Sequence, residues 1–499
     1  MDSQIAFRTQ TIEGVSWSIF SQIAFQGISY VIGIVLARIL APADYGLFGM
    51  ALVFTGFTNV VNKIGLAQSL IYRQELRETH KSSAFWISLL NGLLTAAVVV
   101  LISPWVANYY QEPRVRALMV LIGVNYIVGA FGRVPNALLR RKLDFRNISL
   151  SLLIGTCGGG VVGILMAVLG FGVWSLVFSS MVSILLEVFL QWWVVDWRPK
   201  LSFDRQSVKE LFGFSANLSA YQSLTYWVRN VDNLLVGKYL GSVSLGYYSR
   251  AYNFMLIPAI QVADVIGRVM WSALARIQED KARIREILVR SIAVIALITM
   301  PMMFGAFILA DKLILMLVGE KWSPVAPVFR ILCGVGMLQS ITSTGVWIFQ
   351  ATGRTDVMFR WHVLRGLVMI GAIVVGISFT SIEAVALAIL IVTVAFFYFD
   401  IRIPGKIIEL EFRPVLRVLF PIFISTGIMA VAVWLLDRLI PETIPVLYQV
   451  LILVGFGCLV YFLLLKLSSP KVLEESLQLS RQLFGGLVRR PKPVHEQGQ

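Results

Sequence analysis

Charged residues are scarce in this chain of 499 residues. Asp, Glu, Lys and Arg make up 14% of the sequence, hydrophobic residues make up 57%, and the mean hydropathy is +0.78. Soluble globular domains carry about 25% charged residues, so the composition excludes an ordinary soluble protein. Because its apolar runs have the length of membrane helices, the sequence predicts an all-α polytopic membrane protein.

Cysteine and histidine are also rare, with three of each. Cys157, Cys333 and Cys458 lie far apart inside apolar runs and lack CxxC spacing, which predicts buried apolar residues rather than a disulfide or a metal site. The sequence has no HExxH motif, no glycine-rich phosphate loop and no DxD pair. We therefore expect no catalytic residue, no metal and no cofactor. The alternative, an enzyme, would need catalytic groups from within the spans.

The apolar runs predict about fourteen transmembrane helices, because one span needs about 20 mainly apolar residues. An even number of spans places both termini on the same side of the membrane. The predicted spans cover residues 15–37, 45–67, 83–107, 115–135, 148–169, 173–195, 212–236, 244–263, 287–309, 326–350, 358–379, 382–401, 415–437 and 446–466.

The basic residues agree with this layout. Most of the 43 Lys and Arg residues fall in the head, the tail and alternate loops on one side, which the positive-inside rule assigns to the cytoplasm. The net charge of +15 then reflects topology and contact with anionic lipid headgroups, rather than nucleic-acid binding. Two stretches on that side, 264–290 and 471–490, alternate apolar and charged residues, which predicts helices lying in the membrane interface. For the second, a frayed tail is an open alternative.

A short polar segment between the first two spans is repeated further along the chain. The first hinge, Leu36–Phe48, and the second hinge, Val236–Tyr248, align at an offset of 200 residues, which pairs Arg38 with Lys238 and Gly46 with Gly246. Both hinges lie between the first and second spans of what the pattern predicts to be two related halves. Arg38 and Lys238 are on the predicted outer side, where they either act as a gate to the polar interior or reach outward to lipid headgroups.

The first helix of each predicted half carries a polar stripe. Ser18, Gln22, Gln26 and Ser29 recur at helical spacing in the first span. A second stripe in the seventh span has the same phase, with Asp232 next to it, and consists of Gln222, Tyr226, Arg229 and Asn233. Because polar groups are costly in a bilayer unless they face a cavity or a partner helix, both stripes are predicted to point inward.

Charged and polar residues in other spans are predicted to line the same cavity. The candidates are Lys63, Arg133, Glu187, Arg250 and Asn253. Their simplest alternative role is to bond helices together, at about 0.6 kcal/mol per hydrogen bond. Arg229 and Asp232 could also neutralise each other, and the other basic side chains could extend to the membrane surface.

Several motifs together resemble bacterial exporters of lipid-linked oligosaccharides, especially those of the colanic-acid and teichuronic-acid type. The motifs are Gly14–Trp17, Leu36–Gly46, Gly65–Ala67, Phe212–Phe214, Asp232–Tyr248, Gly319–Pro324 and Gln350–Asp356. The resemblance implies the multidrug/oligosaccharidyl-lipid/polysaccharide exporter superfamily, with two pseudo-symmetric six-helix lobes, two extra helices and a central cavity that opens to either face. We accordingly expect lobes at 1–200 and 201–405, extra helices at 406–466 and a cytoplasmic tail at 467–499.

The resemblance also implies a function. It predicts a bacterial inner-membrane flippase that moves undecaprenyl-diphosphate-linked repeat units for extracellular polysaccharide synthesis. Its partners would be the lipid-linked substrate, membrane lipids, a coupling cation and other polysaccharide assembly proteins, with no role for nucleic acid. A cation-coupled multidrug exporter of the same fold is the alternative, and a membrane glycan polymerase is a third hypothesis, although no large external loop or paired catalytic carboxylates support it.

Overall fold

The computed structural model describes residues 2–62, 70, 76–201 and 216–468. The chain divides into two compact units. The first unit comprises Met1–Ser249 with Leu317–Trp322 and Thr380–Ile382, and the second comprises Arg250–Met316, Ser323–Phe379 and Glu383–Gln499. The division into lobes at 200/201 stays a prediction.

The described residues are almost entirely helical, as the sequence predicts. The helices are α1 (Asp2–Ile39), α2 (Pro42–Asn62), α3 (Glu78–Tyr110), α4 (Arg114–Arg141), α5 (Phe145–Val168), α6 (Trp174–Val194), α7 (Ala216–Arg276), α8 (Lys281–Ile308), α9 (Ala310–Val318), a 3₁₀ turn (Glu320–Trp322), α10 (Val325–Thr342), α11 (Thr344–Ala351), α12 (Thr355–Ser378), α13 (Ile382–Ile407), α14 (Phe412–Leu439) and α15 (Val446–Ser468).

Eleven helices in the described part of the chain are long and apolar enough to cross a membrane. They coincide with eleven of the predicted spans, and large apolar side chains such as Leu101 and Leu439 stay about three-quarters exposed for contact with lipid. The remaining predicted spans correspond to α2 and to parts of α7 on either side of Gly241. The membrane-spanning all-α class is confirmed, and the count of fourteen remains compatible with it.

The second hinge, like the first, lies between two helical segments, but a single residue rather than a turn separates them. It lies within α7, which runs for 61 residues and is interrupted only at Gly241. This residue has φ 84° and ψ 179°, a conformation that glycine adopts readily and that residues with a Cβ rarely reach. The backbone of α7 therefore changes direction at Gly241 without a loop.

In the first unit α5 packs closely against α6, α3 against α4, and α1 against α5. Small residues allow the tightest of these contacts. Gly155, Gly159 and Gly163 recur every fourth residue of α5 and face Ser183, Ser179 and Ser175 of α6. A Cβ on Gly159 would overlap the backbone of Ser179, so this spacing is the small-residue packing typical of membrane helices.

In the second unit α8 packs against α10 and α14, and α14 packs against α15. The core between them is apolar and fully buried around Ile292, Ile295 and Ile422. The hydroxyl of Tyr461 on α15 donates to the carbonyl of Leu297 on α8 at 2.9 Å, which ties these two helices together.

The prediction of an interfacial helix at 264–290 is wrong. The segment consists of the end of α7, a turn, and the start of α8, which Asp280 caps by accepting from the backbone N–H of Arg283 at 3.0 Å. Leu274 and Ile284 are each 1% exposed and belong to the core of the second unit. Alternation of apolar and charged residues shows that one face is buried, but it does not distinguish burial in lipid from burial in protein. The second predicted stretch, 471–490, lies outside the described residues.

Candidate functional site

The two hinges are in direct backbone contact inside the first unit. A Cβ on Gly46 would overlap the carbonyl of Ser242, and a Cβ on Gly246 would overlap the carbonyl of Pro42. Ser242 stands 200 positions after Pro42, as Gly246 does after Gly46, so the two contacts are equivalent by the offset found in the sequence. This reciprocity is what a twofold axis between related segments produces.

Trp322 of the 3₁₀ turn packs beside this contact and is fully buried. Its indole N–H donates to the carbonyl of Ala37 at 2.8 Å. The ring stands edge-on to Tyr45 of the first hinge and to Tyr247 of the second, with centroid distances of 5.4 and 6.0 Å. Trp322 belongs to the motif Gly319–Pro324, which contributed to the family resemblance. The sequence did not predict that this residue contacts both hinges.

Arg38 and Lys238, the paired basic residues of the hinges, are both held by protein carbonyls. The Nε of Arg38 donates to the carbonyl of Leu317 at 2.9 Å. The Nζ of Lys238 donates to the carbonyl of Tyr109 and lies 4.9 Å from the centre of the same residue's ring. These contacts fix the positions of both side chains beside the paired hinges.

The stripe on α7 is only partly available for a ligand. Asp232 is buried and accepts from the hydroxyl of Tyr248 at 2.8 Å and from the backbone N–H of Asn233 at 2.8 Å. In the part of the chain that the structure describes, no ion pair joins Arg229 to Asp232, so the proposed mutual neutralisation does not occur there. Arg229 is exposed, whereas the hydroxyl of Tyr226 donates to the carbonyl of Val53 on α2 at 2.8 Å.

The stripe on α1 is more accessible than the one on α7. Gln22 is exposed, and Gln26 and Ser29 are half-buried, on the helix that packs against α5. Their amide and hydroxyl groups therefore remain able to bind a polar ligand.

The predicted residues of α4 and α6 lie on helices that pack together. Glu187 is half-buried and accepts from the side-chain amide of Gln191 at 3.0 Å. Arg133 is half-buried one position after Gly132, whose closest neighbours are Val188 and Gln191. Among described residues no ion pair joins Arg133 to Glu187, so the two charges remain separate on neighbouring helices.

The other predicted site residues fall elsewhere. Arg250 and Asn253 belong to the second unit, where Arg250 is half-buried and Asn253 is exposed. Lys63 lies outside the described residues, and Gln222 lies on α7 but its side chain is not described.

Two further polar contacts were not predicted from the sequence. The hydroxyl of Tyr126 on α4 donates to the carbonyl of Thr55 on α2. In the second unit the buried carboxylate of Asp400 accepts from the indole N–H of Trp361 at 2.8 Å and lies 3.2 Å from a terminal nitrogen of Arg365. Arg365 and Asp400 are far apart in sequence, so only the fold could reveal this pair. The described residues hold no group of three or more His, Cys, Asp or Glu side chains suited to a metal ion.

Comparison with known sequences places this chain among proteins of polysaccharide synthesis. A family model described as "Polysaccharide biosynthesis protein" matches residues 35–327. The chain is 26% identical to the lipopolysaccharide biosynthesis protein WzxC of Escherichia coli (strain K12), over 78% of this chain and 80% of that protein. It is 25% identical to the succinoglycan biosynthesis transport protein ExoT of Rhizobium meliloti (strain 1021), over 94% and 95%. The teichuronic acid biosynthesis protein TuaB of Bacillus subtilis (strain 168) is also 25% identical, over 95% and 98%.

Two solved structures share the fold. The lipid II flippase MurJ in an inward closed conformation superposes with a TM-score of 0.70 at 14% identity, covering 90% of this chain and 98% of MurJ. A multidrug resistance MATE family transporter of the MOP superfamily, in an inward-facing conformation, gives 0.61 at 13% identity, covering 77% and 95%. At these identities the likeness concerns architecture alone, and it agrees with the membrane-spanning all-α fold that the sequence predicts.

Proposed function

Because the chain belongs to the polysaccharide biosynthesis protein family, we propose that it is a flippase that moves lipid-diphosphate-linked oligosaccharide repeat units across the bacterial inner membrane. The family match covers residues 35–327. The names of WzxC, ExoT and TuaB connect those relatives with polysaccharide synthesis and, for ExoT, with transport. The relatives align over most of the chain, so the proposal concerns the protein as a whole.

The observation that carries the mechanism is the reciprocal contact of the two hinges. Gly46 against Ser242 and Gly246 against Pro42 repeat one contact at an offset of 200 residues. Transporters built from repeated halves place equivalent segments of the two halves around a local twofold axis. We propose that the hinges separate and re-form this contact as the protein alternates between its two open states, with both termini in the cytoplasm and lobes at 1–200 and 201–405.

The substrate would be bound by the basic and amide side chains of the spans. Arg229, Arg250, Lys63 and Arg133 would contact the diphosphate or an acidic sugar. Gln22, Gln26, Gln222 and Asn253 would contact sugar hydroxyls. Hydrogen bonds between an ionised donor and a phosphate oxygen are roughly twice as strong as neutral ones, which suits Arg229 because it is exposed and forms no ion pair with Asp232.

A cation-coupled drug exporter is the second candidate, because the MATE transporter shares the fold. Such an exporter would use acidic side chains that are free to bind a cation. Here Asp232 already accepts hydrogen bonds from Tyr248 and Asn233, and Glu187 accepts one from Gln191. These contacts favour the flippase, although coupling to a cation is compatible with both proposals.

Reconstitution into liposomes tests the proposal. The purified protein would be supplied with a fluorescent lipid-diphosphate-linked oligosaccharide in one leaflet, and a membrane-impermeant quencher would report its sidedness. We expect the wild type to move the lipid without altering its chain length. Loss of one charge-assisted hydrogen bond in R229A should reduce the rate roughly tenfold or more, while the protein still folds and inserts.

R116A is the matched control, because Arg116 is exposed at the start of α4 and lies outside the polar stripes. Its rate should equal that of the wild type. Unchanged rates in R229A, R250A, R133A and K63A would contradict the cationic binding site. Elongation of the glycan would identify a polymerase, and export of cationic dyes without movement of the lipid would identify a drug exporter.

A further inference from the structure

A basic cavity lies at one end of the first unit, and none of the residues of the polar stripes lines it. It has a volume of about 470 Å³. Among its lining residues are Glu78, Lys81, Lys142, Asp196, Arg198 and Lys200. They come from the start of α3, the end of α4 and the segment after α6, all on the side that the distribution of basic residues assigns to the cytoplasm. We call this cavity the basic pocket.

Hydrogen bonds hold the segment after α6 against α3, so the fold itself fixes the walls of the pocket. The backbone N–H of Lys200 donates to the hydroxyl of Ser82 at 3.1 Å, and its carbonyl accepts from the indole N–H of Trp86 at 3.0 Å. The indole N–H of Trp197 donates to a carboxylate oxygen of Glu78 at 3.0 Å.

Aromatic side chains next to the pocket indicate its depth in the membrane. Trp192 and Trp197 stack with their rings 6.0 Å apart, and Phe85 meets both of them edge-on. Trp86 also packs edge-on against Phe85. Tryptophan collects where hydrocarbon gives way to lipid headgroups, so this cluster places the basic pocket at headgroup level.

The positive charges of the pocket are not all neutralised. Lys81 forms an ion pair of 2.6 Å with Glu78. Arg198 donates to the carbonyls of Val195 and Trp197 and lies 5.5 Å from the centre of the Trp192 ring. Lys142 and Lys200 form no ion pair in the part of the chain that the structure describes, and both are exposed. The lining therefore offers four cationic groups against two carboxylates, one of which already binds Lys81.

We propose that the basic pocket binds the phosphate of an anionic lipid headgroup. Pockets of roughly 300–1,000 Å³ suit small ligands, and ammonium and guanidinium groups bind phosphate through charge-assisted hydrogen bonds. Lys142 and Lys200 would contact the phosphate, while the tryptophans would pack against the glycerol and the upper acyl chain. The phosphate could belong to a phospholipid of the bilayer or to a polyprenyl diphosphate. The site does not depend on the transport function proposed above, because binding can be measured without transport.

Native mass spectrometry of the full-length protein in detergent tests this site. Phosphatidylglycerol, undecaprenyl diphosphate and phosphatidylcholine would be added separately, and the bound fraction would be measured for the wild type and for K142Q/K200Q. The control is K406Q/K466Q, which removes the same charge from two exposed lysines on the same predicted side of the membrane. Thermal unfolding of all three proteins checks that they are folded.

We expect the anionic lipids to bind the wild type more tightly than phosphatidylcholine, and K142Q/K200Q to lose at least threefold in that affinity. A larger loss of affinity for phosphatidylglycerol in K142Q/K200Q would assign the pocket to bilayer lipid, and a larger loss for undecaprenyl diphosphate would assign it to a polyprenyl carrier. Equal binding of all three lipids, or an equal loss of affinity in K406Q/K466Q, would overturn the proposal.

Discussion

Gly46 and Ser242 are in backbone contact, and the same contact recurs between Gly246 and Pro42 with the roles of the two hinges exchanged. Neither glycine is required for a left-handed backbone conformation, since both lie inside helices. Each is required because a carbonyl from the other hinge occupies the place where a Cβ would project. The two hinges thus meet where one glycine in each leaves room for a carbonyl of the other.

Alanine at either position should weaken this contact. G46A and G246A should each lower the free energy of unfolding by about 1–3 kcal/mol, because an added methyl group in a close-packed contact forces the backbones apart. Under the proposed function both should also slow transport, since the hinges could not re-form their contact. Unfolding in a titration with denaturing detergent and the liposome assay measure the two effects.

G49A is the matched control for the hinge glycines. A Cβ on Gly49 would only reach ordinary van der Waals distance, 3.5 Å, from the Leu245 side chain. Its stability and rate should therefore remain close to those of the wild type. If G46A were as stable and active as G49A, the close approach of the hinges would not hold in the functional protein.

The sequence repeat at an offset of 200 residues predicted related hinges, and the long apolar runs predicted the helices that span the membrane. The hydrogen-bond partners of individual side chains were harder to predict. Helical phase places Asp232 beside Arg229, but the choice of Tyr248 as its partner depends on how α7 bends at Gly241. Trp322 illustrates the same limit, because it meets Ala37 across a separation of 285 residues that no local pattern encodes.

The hydrogen bond from Tyr248 to Asp232 should contribute measurably to stability. Both residues are buried, so Y248F would deprive the carboxyl of its side-chain donor and should lower the free energy of unfolding by about 1–3 kcal/mol. Y247F is the control, since the neighbouring hydroxyl donates to the Lys321 carbonyl in an exposed position at 3.3 Å and should cost less than about 0.5 kcal/mol. Equal effects of the two variants would show that Asp232 obtains its stabilisation elsewhere.

The contacts of Glu409 with Lys281 and Arg285 should make the stability of the protein depend on pH. Its carboxylate accepts from Lys281 at 2.8 Å and lies 3.7 Å from Arg285, and the hydrogen bond and charge of Lys281 hold the pKa of Glu409 below its ordinary value. Because the pKa is lower in the folded state, the stabilisation is present above the ordinary value and is lost as the pH falls through the folded one.

The melting temperatures of the wild type and of E409Q should therefore differ by a constant amount from pH 8 to about pH 5 and converge below about pH 4.3. The pair is exposed, so 1 M NaCl should reduce the difference at neutral pH by screening. A difference that persists unchanged at low pH or at high salt would show that Glu409 acts through packing rather than through charge.

The pair of Arg365 and Asp400 should be far more sensitive to mutation than ion pairs near the surface. The side chain of Asp400 is only 6% exposed and that of Arg365 is 19% exposed. R365Q would leave the carboxylate with the indole of Trp361 as its remaining donor, and removal of one partner from a buried pair costs about 3–5 kcal/mol. The double variant R365Q/D400N should recover part of this loss, because it leaves no buried charge uncompensated.

R330Q provides the comparison. Arg330 pairs with an Asp311 side chain that is 67% exposed, so R330Q should lower the free energy of unfolding by less than about 1 kcal/mol. Detergent-induced unfolding of the four proteins measures these differences, and a double variant less stable than R365Q would show that the pair is not the origin of the effect.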